Sequence, residues 1–161
     1  EKPLPGVSFT DSTLTLHYFG PEQGLPGRII SVKESPQGTL FFGGIGTESY
    51  LYRYQEATGR FENLSIPLPF DVSHFEVHDL SIDRQGIIWL ASSNGLLKYD
   101  PRKKKITRID LGPYITPTEM RAIGIDRNGQ VWVATDSYGL ISYNKNGFVR
   151  YTLLNGLPTP G

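Results

Sequence analysis

Between Leu80 and Asp100 the chain reads LSIDRQGIIWLASSNGLLKYD, and between Ile123 and Asn144 it reads IGIDRNGQVWVATDSYGLISYN. A unit written twice must pack against its neighbours in the same way each time, which limits the chain to a repeat architecture. Aligned on the turn glycine, Ser35-Pro36-Gln37-Gly38, Asp83-Arg84-Gln85-Gly86 and Asp126-Arg127-Asn128-Gly129 correspond, 48 and 43 residues apart. Phe41, Trp89 and Trp132 each stand three residues after the glycine, and Val32, Leu80 and Ile123 three residues before each turn starts. A second turn ends in Gly95 or Gly139, and Tyr54, Tyr99 and Tyr143 follow it. Gly24-Leu25-Pro26 returns as Gly156-Leu157-Pro158, 132 residues on, or three periods of 44.

Each unit divides into four short runs bounded by turn residues. The first carries Val77, Leu80 and Ile82 or Met120, Ile123 and Ile125. The second carries the aromatic, as in Ile88-Trp89-Leu90 and Val131-Trp132-Val133. The third ends on tyrosine. The fourth is amphipathic and is expected over Phe61–Ile66, Lys105–Ile109 and Phe148–Thr152. No run has a helical period of useful length, so the unit reads as four strands. Asp or Ser opens each turn because its side chain accepts a backbone N–H, and glycine closes it because it tolerates φ > 0. Asn146-Gly147 is a hairpin signal. A four-stranded unit of this length predicts an all-β chain of β-propeller blades, about three of them, belonging to a larger propeller. The aromatic at 41, 89 and 132 is expected to fill the space between adjacent blades.

The blade boundaries read as 24–66, 67–110 and 111–155. Residues 1–23 hold an N-terminal segment and the outer strand of a preceding or closing blade, and 156–161 lead into a next blade. Three blades do not close a propeller, and an open end exposes strand edges and an apolar face. Self-association is therefore expected. The start at Glu1, without methionine or leader, reads as a processed or cut chain.

Composition narrows the function. Sixteen basic and sixteen acidic residues cancel, which argues against nucleic acid as partner. The run Arg102-Lys103-Lys104-Lys105 reads as a solvated turn. With no cysteine there is neither disulfide nor thiolate metal site. No apolar run approaches the roughly 18 residues of a membrane span, so any membrane attachment lies in segments outside these residues. His74 and His78 stand four apart in HFEVH, but residues four apart on a strand lie about 13 Å apart, too far to share an ion. No nucleophile–base constellation or phosphate loop is evident, so neither catalysis nor a cofactor is expected. Two other readings stay open: a protein-binding scaffold, and a propeller enzyme of the streptogramin-lyase kind.

GLPGRIISVKESPQGTLFFGG, VHDLSIDRQGIIWLASSNGLLKYD and MRAIGIDRNGQVWVATDSYGLISYN together resemble the two-component regulator propeller repeat, from about Gly24 to Pro158. The first unit departs from it: Phe41 replaces tryptophan, Ser35 replaces aspartate, and the second turn is expanded as GGIGTESYLYRY. What the resemblance implies is a ligand-input region on the periplasmic or extracellular side of a membrane-anchored regulator, with oligosaccharide or another small molecule as ligand. The long loops share one face, and Arg28, Glu48, Tyr50, His74, Tyr114, Glu119, Arg121 and Tyr138 are the candidate ligand-binding residues on it. The DRNG-type turns occupy the opposite face.

Overall fold

The computed structural model describes residues 8–10, 15–152 and 156. A two-stranded hairpin, β1 (Ser8–Thr10) and β2 (Thr15–His17), precedes a single 3-10 turn at Pro21–Gln23. Three four-stranded antiparallel sheets follow. The first holds β3 (Ile29–Glu34), β4 (Leu40–Gly44), β5 (Leu51–Gln55) and β6 (Arg60–Asn63). The second holds β7 (Val77–Ile82), β8 (Ile88–Ser92), β9 (Gly95–Asp100) and β10 (Lys105–Arg108). The third holds β11 (Met120–Ile125), β12 (Val131–Thr135), β13 (Leu140–Asn144) and β14 (Gly147–Tyr151). Strands pair in sequence order within each sheet, so each is a simple meander. The expected lead-in at 156–161 lies outside the described residues except for Gly156.

The inter-strand turns follow from their residues. Gly38, Gly86 and Gly129 take φ of +83°, +80° and +78°, which a side chain would strain. Asp83 Oδ1 accepts the N–H groups of Gln85 and Ile87, and Asp126 Oδ1 those of Asn128 and Gln130. The other carboxylate oxygen accepts the indole N–H six residues on: Asp83 Oδ2 from Trp89 at 3.2 Å, Asp126 Oδ2 from Trp132 at 3.1 Å. This explains why the first unit departs at both positions together. Ser35 has one side-chain oxygen, which takes the N–H of Thr39, and Phe41 has no N–H to offer. The fourth strand of the first sheet stops at Asn63, short of the expected Ile66. There Asn63 Oδ1 accepts the Ser65 N–H, and Ser65 Oγ accepts the N–H groups of Tyr50 and Leu51.

The core consists of two seams between sheets. Phe41 and Leu51 of the first sheet meet Val77, Leu80, Ile88, Leu90, Leu97 and Tyr99 of the second. Trp89, Ala91 and Leu96 of the second meet Met120, Ile123, Val131, Val133 and Ile141 of the third. Alternate residues of β8 therefore enter opposite seams, and all five of its positions are buried. Trp89 also meets Tyr143 across the second seam, ring centroids 5.7 Å apart. At the first seam the backbones approach closely: a Cβ on Gly43 would stand 2.7 Å from Val77 Cγ1 and 2.9 Å from the Val77 carbonyl oxygen. Phe41 and Trp89 thus fill the space between sheets as expected. Trp132 lies on the outer side of the third sheet, half-buried, stacked on Tyr151.

Candidate functional site

The inner strands β3, β7 and β11 lie side by side. Each carries a register irregularity at the same place: between Ile29 and Ser31, between Val77 and Asp79, and between Met120 and Ala122. Ile30, His78 and Arg121 are thus the unpaired residues of three equivalent β-bulges, devices that re-aim a side chain. Arg28, Glu76 and Glu119 stand two residues earlier, spaced by the same 48 and 43 residues. Their carbonyl oxygens accept the N–H groups of Ile45, Ser93 and Asp136. In all three blades, then, the start of the inner strand is tied to the loop between the second and third strands. The long loops share one end of the sheets, and the Asp83 and Asp126 turns lie at the other end of the same strands.

In the third blade this end carries an ion-paired group. Arg121 Nε donates to Asp136 Oδ1 at 2.8 Å and Nη2 to Asp136 Oδ2 at 2.9 Å, and Nη2 also donates to Glu119. Arg121, hydrogen-bonded to it, draws the Asp136 carboxyl below its ordinary range. In the second blade Glu76 is held between two imidazoles, Oε1 at 2.6 Å from His74 Nε2 and Oε2 at 3.1 Å from His78 Nε2. The hydrogen bond from His74 is the first cause that lowers the Glu76 carboxyl. His78 Nδ1 reaches the Met120 carbonyl of the next blade at 2.9 Å. The two histidines are thus linked through the carboxylate that stands between them in sequence. Among the described residues, no group of three or more His, Asp or Glu is arranged to hold a metal ion.

The structure separates the eight sequence candidates. Glu119 and Arg121 touch. Tyr138 lies near them on the loop after β12: its hydroxyl pairs with Thr116 Oγ1 at 2.9 Å and its ring carries the Arg150 guanidinium at 5.2 Å. His74 is exposed and bound to Glu76. Tyr114 is 86 % exposed on the loop before β11. Glu48 lines an open cleft of about 650 Å³ with Thr47, Ser65, Phe70 and Asp71. Arg28 lines a different groove, about 820 Å³, on the outer side of the first sheet with Phe19, Leu40 and Phe42. Tyr50 is a correction. It is fully buried, packs edge-on against Phe75 at 5.1 Å, and donates its hydroxyl to the Ile66 carbonyl at 2.8 Å. It belongs to the first seam and cannot meet a ligand. Glu76, His78 and Asp136 were missed as candidates. The signal for the first two was the 48- and 43-residue spacing onto Arg28 and Ile30, Glu119 and Arg121.

A scan against protein-family models finds no match, and neither does a search among curated proteins. Solved structures do match. The extracellular domain of the hybrid two-component system BT4673 from B. thetaiotaomicron superposes with a TM-score of 0.69 and 22% identity, covering 91% of this chain and 20% of that one. The corresponding domain of BT3049 from the same organism gives 0.69 and 21%, covering 89% and 21%. Virginiamycin B lyase from Staphylococcus aureus gives 0.61 and 16%, covering 80% and 42%. The chain is built of β-propeller blades. It spans about one fifth of the length of the two extracellular domains. Among the described residues, no helix is long and apolar enough to cross a membrane.

Proposed function

We propose that these blades are part of the extracytoplasmic input region of a two-component regulatory protein, and that they bind a small polar ligand, an oligosaccharide in the first instance, without catalysis of their own. The observation that supports this reading is the gathering of Glu76, His78, Glu119, Arg121 and Asp136 at the end of the sheets where the irregular loops lie. Short, regular turns occupy the opposite end, where Asp83 and Asp126 are spent on backbone N–H groups and indoles. Hydrogen-bonding side chains beside exposed aromatic rings suit a sugar: the ring stacks on one face while its hydroxyls are paired. Tyr114 supplies such a ring here, and His74, Glu119 and Arg121 the polar groups. The fold likeness to extracellular domains of hybrid two-component systems supports the setting.

The test is a reporter response in the complete regulator. Arg121→Ala with Tyr114→Ala should abolish it while leaving the melting temperature of the blades within a few degrees. Asn128→Ala and Gln85→Ala, at the opposite end, should leave it intact. A response that survives the first pair and is lost with the second assigns the ligand to the other face.

The outer sides of the first and third sheets belong to the same proposal. Val32 is 55 % exposed, whereas Leu80 and Ile123 at the same repeat position are 0 % and 6 % exposed. Leu40 is 36 % exposed against 0 % for Ile88 and 2 % for Val131. Residues kept apolar at contact positions but left uncovered form a surface for a further blade, and in the isolated chain they drive self-association.

A further inference from the structure

The His78 side chain is 10 % exposed and sits at the bulge of β7, against the seam between the second and third blades. Its two ring nitrogens face two oxygens: the Met120 carbonyl across the seam at 2.9 Å and Glu76 Oε2 within its own blade at 3.1 Å. A carbonyl only accepts, and an ionised carboxylate only accepts. A neutral imidazole has one N–H and can therefore serve one of them. With the proton on Nδ1 the Met120 bond forms, and a lone pair is turned towards the carboxylate. With the proton on Nε2 the carboxylate is served and the bond across the seam is lost. Only the imidazolium donates to both.

We infer that His78 is a proton-operated clamp on the seam between the second and third blades, closed when the ring carries two protons and released from one partner when it carries one. Charged groups from all three blades surround it. On its own segment Glu76 faces it directly, with His74 on the far oxygen of that carboxylate. From the third blade come Glu119, Arg121 and Asp136, in which one guanidinium faces two carboxylates. From the first blade comes Lys33, whose charge is met by Asp79 at 3.7 Å. The set excluding the imidazoles therefore has more acidic than basic groups. The residue clamped, Met120, lies between Glu119 and Arg121, so the proton also bears on the geometry of the proposed ligand end, although the clamp itself does not depend on a ligand.

A ring that gives up one of its two bonds when it loses a proton holds the seam less firmly at the higher pH. The test uses the chain alone. Nitrogen-15 NMR of the imidazoles should show both His78 nitrogens protonated at about pH 5.5 and one at about pH 8, the range in which histidine charge is open to change. The gap in melting temperature between the wild-type chain and His78→Gln should be larger at the lower pH by about 2 °C or more. His17→Gln, on the N-terminal hairpin, should keep the wild-type dependence. A single His78 tautomer at both pH values overturns the clamp, and so does a His78→Gln chain whose melting temperature follows pH as the wild type does. If His78→Gln does not fold, the NMR measurement on the wild-type chain decides alone.

Discussion

Asp79 Oδ2 accepts the backbone N–H of Ile123 at 3.0 Å, a bond from the inner strand of one blade to the inner strand of the next. The other oxygen of the same carboxylate accepts the Leu80 N–H at 2.9 Å and faces Lys33 of the preceding blade at 3.7 Å. One side chain thus ties three inner strands together. Removing it takes that acceptor from the Ile123 N–H, on a residue that is 6 % exposed. Asp79→Ala should destabilise the chain by about 1–3 kcal/mol, and Asp79→Asn, which keeps one acceptor oxygen, by less. Urea denaturation of the two variants measures this; equal losses would show that the cross-blade bond is not what matters.

Asp126 gives the acid limb of stability. Its carboxyl lies below the ordinary range, first because the Trp132 indole donates to it and then because the Gln130 N–H does. A carboxyl lowered by folding contributes stability that is present above the ordinary carboxylate pKa and is lost as pH falls through the lower, folded value. Asp126→Asn should therefore flatten the fall in stability between about pH 4 and pH 2 relative to the wild-type chain. Denaturation followed by tryptophan fluorescence checks it, and an unchanged acid limb would contradict the assignment.

Tyr50 sets the alkaline limb. Burial pushes its phenol up to about 12, against a lesser opposing effect of the Ile66 N–H, which donates to the phenol oxygen at 3.2 Å. A group whose pKa is raised by folding contributes stability that is complete below the ordinary value near 10 and disappears as pH rises through the folded one. The wild-type chain should lose up to about 3 kcal/mol between about pH 10 and pH 12 from this group. Tyr50→Phe should lose less over that range. At neutral pH it should itself be about 1–2 kcal/mol less stable, because the Ile66 carbonyl loses its donor. Parallel melts at the two pH values separate these effects.

The uncovered contact positions predict association. Light scattering of the isolated chain should show a mass that rises with concentration. Val32→Asp, on an exposed position of the first sheet, should lower that mass without changing the circular dichroism spectrum. A strict monomer at all concentrations would show that neither outer face pairs with another copy.

Much of the fold was legible because the signals are local. Asp126, Gly129 and Trp132 lie within seven residues, and their turn, their φ > 0 and their indole bond are made within that span. Repetition of that span at Asp83, Gly86 and Trp89 then implies stacking, since identical units present identical faces. Local pattern did not carry the end of β6: Ser65 caps that strand from outside it, so amphipathic reading overran Asn63. The candidate site was only partly legible. Glu119 and Arg121 sit two apart and could be paired on sight, whereas Asp136 joins them through strand pairing across β11 and β12.

By itself the sequence determined the repeat, the four strands of each blade, the turns and the apolar positions that face a neighbour, all of which depend on residues within a few positions of one another. Only the tertiary structure decided which polar groups meet. Tyr50 and Tyr114 look alike in the chain, both on loops beside polar residues, yet one is sealed in a seam and the other is almost wholly exposed. His78 reaches Met120, 42 residues away, because a bulge turns its ring towards the next blade. Burial and cross-blade bonds depend on how sheets stack, a relation between distant segments that no short stretch of residues carries.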